Sequence, residues 1–454
     1  MFVSNYITIS KINEKEYILI HSYLNNIDIV EKNIAINLIK AKNSGDEVKN
    51  IEKNIFNELH KKGYLIKDKE EDRNRFIKLA NKVLEISKSK VSSYVFIPSY
   101  KCNFRCPYCF ELKTVKNESN NKIMDKSLVD IIYNEIDKDT YNDKKISISL
   151  FGGEPFLKEN YEIIKYILKK SNDRKIKIDA ITNGYEMQYY NKFFEIGAFS
   201  KLQITLDGDE CMHDSRRFLK NGEATFQVIA KNIDNVLKFD KGPHISIRVN
   251  VDKDNYHSVK KLHDFIKNSG WYTNNKFSFY TKSVHACYLS NKEKIYDSDV
   301  IENVKLDDNK IVNMCYNAQY KVMFRDVEAI FDSKQLVPNF KTSTCGATKG
   351  MKVIDAFGNI YTCLEEVDNE NNRVGTIDFE QKKFLYNSLW DLWQNRQIQN
   401  IDRCSRCGYS LTCGGNCPEH AKISNKDIYT SYCADIKKTY ERVVREVASR
   451  YGGN

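Results

Sequence analysis

Tyr100 to Glu111 reads YKCNFRCPYCFE and sets three cysteines, Cys102, Cys106 and Cys109, in a C-x3-C-x2-C spacing. A closed zinc site takes four protein ligands, whereas a site built to react keeps one position open. An iron–sulfur cube held by three thiolates likewise leaves one iron free for a ligand from outside. A zinc site completed by a distant residue is the alternative that these positions leave open. The loop follows the apolar run YVFIPSY from Tyr94, which places the thiols where a strand ends.

Outward from that loop the chain alternates strand and helix. KISISLF, IKIDAIT, KLQITL, HISIRVNV and KFSFYT read as strands, with helical stretches such as SLVDIIYNEID, NYEIIKYILKKS and SVKKLHDFIKNSG between them. Repeated β and α units imply a parallel sheet with helices outside it. Whether closed as a barrel fragment or open, such a sheet gathers reactive groups at the C-terminal ends of its strands. Before it, NYITISKI, EYILIHS and NIDIV precede two helical patterns, and the charged run KDKEEDRNR from Lys67 reads as a linker. This start is a small α+β module, of a kind that binds an extended peptide along a sheet edge or serves only as a stabilising cap. Four segments are expected: a recognition-like domain at 1–75, a linker helix at 76–93, the β/α core at 94–310 and a cysteine-rich domain at 311–454.

Composition narrows the class. The 454 residues are 41% hydrophobic and 29% charged, with no apolar run of the ~18 residues a membrane span needs. The N-terminus lacks the charged and apolar regions of a signal peptide, so a cytoplasmic location is expected. In that compartment the thirteen cysteines suit metal binding or catalysis better than disulfides. The net charge of +10 is scattered without a basic block, so no nucleic-acid partner and no membrane partner is expected. A zinc-dependent nucleic-acid binder would explain cysteine and charge, but not the open three-cysteine loop.

The second strand ends in SLFGGEPFL, where Gly152 and Gly153 permit close backbone approach and Glu154 can receive an ammonium group. AITNG brings Thr182 and Asn183 to the next strand end, QITLDG brings Thr205 to the one after, and HDSRRF carries Arg217. Eight of the thirteen cysteines fall between Cys315 and Cys433. Cys345 and Cys363 form C-x12-G-x4-C around Gly358. Cys404, Cys407, Cys413 and Cys417 form C-x2-C-x5-C-x3-C, with fifteen residues between Cys417 and Cys433. Cys211 and Cys287 have no motif context and read as buried packing residues.

The CNFRCPYC loop and the GGEP turn resemble the signature of radical S-adenosylmethionine (SAM) enzymes, and the seven later cysteines resemble the SPASM extension of those that modify peptides and proteins. The resemblance implies a partial (β/α)6 barrel, a winged-helix-like N-terminal recognition domain, SAM and three [4Fe–4S] clusters. It places the first cluster on Cys102, Cys106 and Cys109. SAM contacts would fall on Tyr108, Gly152, Gly153, Glu154, Thr182, Asn183, Thr205 and Arg217. It gives Cys345, Cys363 and Cys417 to one auxiliary cluster and Cys404, Cys407, Cys413 and Cys433 to the other. Relatives that carry a further cysteine six residues after the first have one where this chain has Met351. Either Cys315 replaces it or that cluster keeps an open iron, which a substrate cysteine could fill. A thioether crosslink in a Cys-containing precursor peptide with a leader is therefore expected, with a flavodoxin or ferredoxin as electron donor. A carbon–carbon crosslink, an epimerisation and anaerobic sulfatase maturation are the rival outcomes.

Overall fold

A computed structural model describes residues 1–24, 26–88, 91–284, 318–332, 340–433 and 436–451. The chain divides into two compact units that cut across the four expected segments. One joins Met1–Lys88 with Ala318–Lys349 and Gln394–Asn454, and the other joins Ser89–Asn317 with Gly350–Trp393. Cys287 and Cys315 lie outside the described residues.

In the first unit, β1 (Ile7–Lys11), β2 (Glu16–His21) and β3 (Ile27–Glu31) form an antiparallel sheet with β3 at one edge. Helices α1 (Lys32–Ser44), α2 (Lys53–Lys61) and α3 (Lys69–Lys88) follow. Ile7, Leu19, Leu38, Leu59, Tyr64 and Leu65 close a core between sheet and helices. Most of the run expected as a linker, from Lys67, is the first turns of α3. Glu70, Glu71 and Asp72 stand in that first turn, where carboxylates favour a helix N-terminus. Asp72 also accepts hydrogen bonds from Ser4 at 2.7 Å and Tyr23 at 2.6 Å, which tie the helix to the sheet. Further along, Phe76 and Ala80 share a core with Tyr6, Ile398, Ile401, Cys404 and Leu411. Burial at such a position contributes about 1.5–3 kcal/mol per large side chain, which makes α3 a structural helix rather than a spacer.

The second unit is built on six parallel strands in chain order: β4 (Val91–Phe96), β5 (Lys145–Leu150), β6 (Ile178–Thr182), β7 (Phe199–Thr205), β8 (His244–Val251) and β9 (Phe277–Ser283). Alternate residues Ile245, Ile247, Val249 and Val251 of β8 are all buried, as expected for a strand of a covered parallel sheet. Helices α4 (Lys126–Tyr141), α5 (Tyr161–Asn172), α6 (Phe226–Leu237) and α7 (Tyr256–Asn268) lie between strands. In α6 the buried stripe Phe226, Ile229, Ala230, Ile233 and Val236 follows the helical period. The α4 start is fixed by Asp125, whose carboxylate accepts the Leu128 amide at 2.8 Å. This is the expected (β/α)6 barrel-like core.

The sheet does not stop at β4. β10 (Lys352–Ile354) pairs parallel to it, and β11 (Asn359–Tyr361), β12 (Gly375–Asp378) and β13 (Lys383–Tyr386) continue antiparallel, giving ten strands. The join is polar as well as ladder-bonded. Asp139 of α4 accepts from Ser92, Tyr94 at 2.6 Å, Lys144 at 2.8 Å and Lys352 at 3.0 Å. Among the described residues no helix is long and apolar enough to cross a membrane.

Candidate active site

The loop after β4, the turn after β5 and the ends of β6, β7 and β8 surround one cavity of about 240 Å³. Cys102, Cys106, Cys109, Tyr108, Gly152, Gly153, Glu154, Thr182, Asn183, Thr205 and Arg217 all line it. Every residue expected of the cluster loop and its ligand site is therefore in one place. Burial pushes all three thiols up, Cys109 to about 12, and neighbouring thiols and carboxylates push the same way. Such sulfurs become thiolates only against a strong positive charge, and an iron cluster supplies one.

The two glycines explain how the GGEP turn reaches the loop. Gly153 has φ +46°, and a Cβ there would meet the carbonyl of Tyr100 at 2.7 Å and overlap that of Lys101. Gly152, at φ +84°, would drive its Cβ into Ile97. The Glu154 amide then donates to the Lys101 carbonyl at 2.7 Å, which closes turn upon loop. Without side chains at both positions the carboxylate comes to rest beside the thiols.

Glu154 is 1% exposed, and burial raises its pKa to about 7. One carboxylate oxygen accepts from the Phe156 amide at 2.8 Å and the Thr182 hydroxyl at 2.6 Å, the other from the Asn183 amide at 2.6 Å. A carboxylate offers about four acceptor sites, so room for one further donor remains. Thr182 and Asn183 thus orient Glu154 first. The Asn183 side chain also donates to Asn103 of the cysteine loop at 2.7 Å. Opposite charge is supplied by Arg217. Burial opposes its cation, but Cys106, Tyr108 and Asp207 hold its pKa well above the usual value. Its Nη1 donates to the Tyr108 hydroxyl at 2.9 Å, while its Nε is buried without a hydrogen-bond partner among the described residues. The Tyr108 hydroxyl is also bonded to Asp207, and the Arg216 guanidinium lies 5.0 Å from the ring centroid.

A cavity with a carboxylate at one point and an unsatisfied guanidinium at another suits a zwitterion with ammonium and carboxylate groups. SAM carries both on its methionine end, so the donor set fits it.

Several residues here had no motif to reveal them. Glu111, two positions after Cys109, is 6% exposed with one carboxylate oxygen unpartnered, and burial raises its pKa to about 7. Gln203, Arg248 and Asn250 line the same cavity. The buried Asp207 pairs with Arg216, which also meets Asp252 at 2.9 Å. For Asp207 the signal was available in LDGD, directly after the strand that ends in Thr205.

In the other unit, Cys404 lies within electrostatic reach of Cys413, Cys407 and Cys433, and burial raises Cys404 and Cys413 to about 12. Cys404, Cys407, Cys413 and Cys433 all belong to this unit. Among the described residues no three metal-ligating side chains close on a single ion; a cube spreads its thiolates wider than one tetrahedral metal does. Cys345 and Cys417 belong to this unit as well. Cys363 is buried two residues beyond β11 in the barrel unit. Met351 packs against the apolar cluster of Val95, Ile97, Tyr100 and Val353. Cys211 is exposed, not buried as expected, because it falls on the solvent side of the short helix Glu210–Arg216 whose His213 faces inward.

A reactive three-thiol loop at the strand ends of a β/α barrel defines an enzyme that holds a cluster with one coordination position open. Residues 96–266 match the family model described as the radical SAM superfamily, so this part of the chain is a radical SAM domain and the protein an enzyme; that family implies SAM and a [4Fe–4S] cluster. The chain is similar to the radical SAM cyclopropyl synthase TigE of Paramaledivibacter caminithermalis, at 22% identity over 92% of this chain and 89% of that one. It is also similar to a cysteine-type anaerobic sulfatase-maturating enzyme of Clostridium novyi, at 23% identity over 77% and 94%. The solved structure of Streptococcus suis SuiB bound to precursor peptide SuiA shares the fold, with a TM-score of 0.53, 17% identity and coverage of 95% and 98%.

Proposed function

We propose that this enzyme modifies a ribosomally made peptide in the cavity beside Cys102, Cys106 and Cys109, and that the new bond is a cysteine thioether. The observation that supports the peptide reading is the edge strand β3, which pairs with no further strand among the described residues and borders a groove lined by Ile29, Val30 and Ile55. Glu154 receives the SAM ammonium, Arg217 its carboxylate, and the network through Tyr108 and Asp207 holds that cation in place. When bound, cluster and SAM supply a deoxyadenosyl radical. The substrate carbon would give up one hydrogen atom to it and the cysteine thiol one proton; as the carbon–sulfur bond formed, the one electron left over would go to a cluster that Cys404, Cys407, Cys413 and Cys433 would hold. Three [4Fe–4S] clusters and a flavodoxin- or ferredoxin-like donor complete this reading in a cytoplasmic setting.

Thioether formation is supported by Met351, whose apolar packing offers no thiolate at the position where relatives place one. A second reading, carbon–carbon bond formation, is favoured by the likeness to the cyclopropyl synthase over nearly the whole chain. Mass spectrometry of the precursor after anaerobic turnover separates them. Both products lose two hydrogens, but only the thioether loses a thiol to alkylation. A product that still alkylates at every cysteine overturns the thioether and leaves the carbon–carbon reading.

A further inference from the structure

Arg396 is the largest fully buried side chain among the described residues, 1% exposed, and it has no carboxylate partner there. Its guanidinium donates only to backbone carbonyls: Ile428, Gly415 at 3.1 Å, Asn416 at 3.3 Å and Thr430 at 3.2 Å. Carbonyl dipoles satisfy its protons but do not neutralise its charge, and a buried cation without a counter-ion is strongly destabilising. After the burial penalty, which lowers its pKa, the charges that act on it most are the sulfurs of Cys404, Cys417, Cys413 and Cys345. Two of these were expected in one auxiliary cluster and two in the other.

The backbone it grips is as telling as the charge. Gly414, Gly415 and Asn416 sit between Cys413 and Cys417, with φ of +67°, +73° and +55°. Three left-handed residues in succession are rare, and Gly and Asn are the residue types that tolerate them. The turn presents the carbonyls of Gly415 and Asn416 to Arg396. A lysine ammonium could not span these positions, since only the planar guanidinium fork reaches four carbonyls on two chain segments at once.

We propose that Arg396 is a positioning residue shared by the two auxiliary clusters: it locks the turn between Cys413 and Cys417 and supplies the buried positive charge that both clusters need. The proposal rests on reading the seven later cysteines as two iron–sulfur sites. A cluster ligated by thiolates carries net negative charge and gains more on reduction, so a fixed cation nearby favours its reduced form. The converse holds for the protein, in which the clusters are the counter-ion of an otherwise unpaired guanidinium.

The experiment uses the full chain, reconstituted anaerobically, as wild type, Arg396→Lys and Arg396→Gln. Iron per chain and the midpoint potentials of both auxiliary clusters are read by spectroscopically monitored redox titration. In Arg396→Gln both clusters are expected to become roughly tenfold harder to reduce at a given potential, a fall of about 59 mV each for one electron. Arg396→Lys is expected to retain most of that potential. Iron retained by Arg396→Lys but not by Arg396→Gln supports the same assignment, because Gln keeps donors without the charge. Unchanged potentials in a loaded Arg396→Gln protein overturn the proposal. So does loss of iron in both variants, which would make Arg396 a structural strut. Wild type that loads only the first cluster would overturn the two-site reading itself, before any variant is compared.

Discussion

The two cysteine regions of this molecule solve opposite problems. Around Cys102, Cys106 and Cys109 the protein leaves space, with a cavity, a carboxylate with a spare acceptor site and a guanidinium with a spare donor. In the unit of Cys404, Cys407, Cys413 and Cys433, polar side chains tie backbone segments together. There Arg396 is saturated by carbonyls, and the Tyr6 hydroxyl is bonded to the Ser405 carbonyl at 2.6 Å. Three thiolates with unsatisfied polar groups nearby make a place for chemistry. On the proposed reading, the four thiolates of the second region make a place for an electron.

The sharpest break of this contrast is at the ligands themselves. Replacing Cys102, Cys106 and Cys109 with Ala should abolish 5′-deoxyadenosine formation under reductant. Replacing Cys404 and Cys407 with Ala should leave deoxyadenosine forming while modified peptide is lost. Chromatography of the nucleoside beside mass spectrometry of the peptide checks both, and deoxyadenosine from the first variant would show that the open site lies elsewhere.

Next in size is the turn that shapes the open site. Gly153→Ala places a Cβ against two backbone carbonyls at a left-handed φ, a cost of about 2–4 kcal/mol in loop distortion. SAM cleavage should fall at least a hundredfold while overall folding, read by circular dichroism, is retained. An active Gly153→Ala protein would mean that turn and loop do not have to touch.

The frame beneath the cavity gives a comparable effect with another readout. Asp139→Asn removes the carboxylate that holds Lys352, 9% exposed, at the join of β4 and β10, and leaves a buried ammonium. A loss of about 3–5 kcal/mol in stability is expected, measured by denaturant unfolding. Burial opposes its charge, but Lys144, Ser92, Tyr94 and Lys352 hold the Asp139 pKa well below the usual carboxylate range. A group depressed in the folded state stabilises above its unfolded value, near ~4, and loses that contribution as pH falls. The gap between wild type and Asp139→Asn should therefore narrow below about pH 4.

Glu154→Gln is subtler still. It keeps the shape of the side chain and removes its charge, so SAM should bind more weakly by about 1.5–3 kcal/mol, roughly 10–150-fold. Equilibrium dialysis of SAM against the reconstituted protein measures it, and equal affinity would move the ammonium site to another acidic side chain such as Glu111.

How much of this was legible in the sequence follows from what each residue must do. The cysteine loop and the GGEP turn admit few substitutes, so their motifs drew the resemblance, and the three loop cysteines and all eight residues expected around SAM line one cavity. Their division of labour was not legible, because Thr182 and Asn183 hold Glu154 through contacts that only the folded strand ends create. The ten-stranded sheet was hidden for the same reason. The pairing of β10 with β4 joins residues about 250 positions apart, and KVI has no pattern that names its partner. The helix α3 was misread because a charged stretch looks like a linker until Asp72 finds Ser4 and Tyr23. Arg396 gave no signal at all, since a single arginine has no spacing.

The smallest effect tests whether the third region, the N-terminal sheet, serves the open site by gripping the substrate. Beside its edge strand β3 lies a second cavity of about 260 Å³, lined by Ile29, Val30, Asn54, Ile55, Glu58 and Leu59 among others. Ile29 is 58% exposed, in a strand whose outer edge pairs with no other strand among the described residues. An extended peptide would pair with that edge through its main chain and set a side chain against Ile29 and Ile55. Deleting the module is a poor test, because Tyr6 and Phe76 share a core with Ile398 and Leu411 and their loss would expose it. Ile29→Lys is cleaner. It removes one apolar contact of about 1–1.5 kcal/mol from the groove at a side chain that is itself largely exposed. Precursor binding, read by fluorescence anisotropy of a labelled leader, should weaken about five- to tenfold. Deoxyadenosine formation without peptide should stay at the wild-type rate. Full leader affinity in the Ile29→Lys protein would mean that the peptide is held elsewhere, and the N-terminal sheet would then be only a scaffold for the rest of its unit.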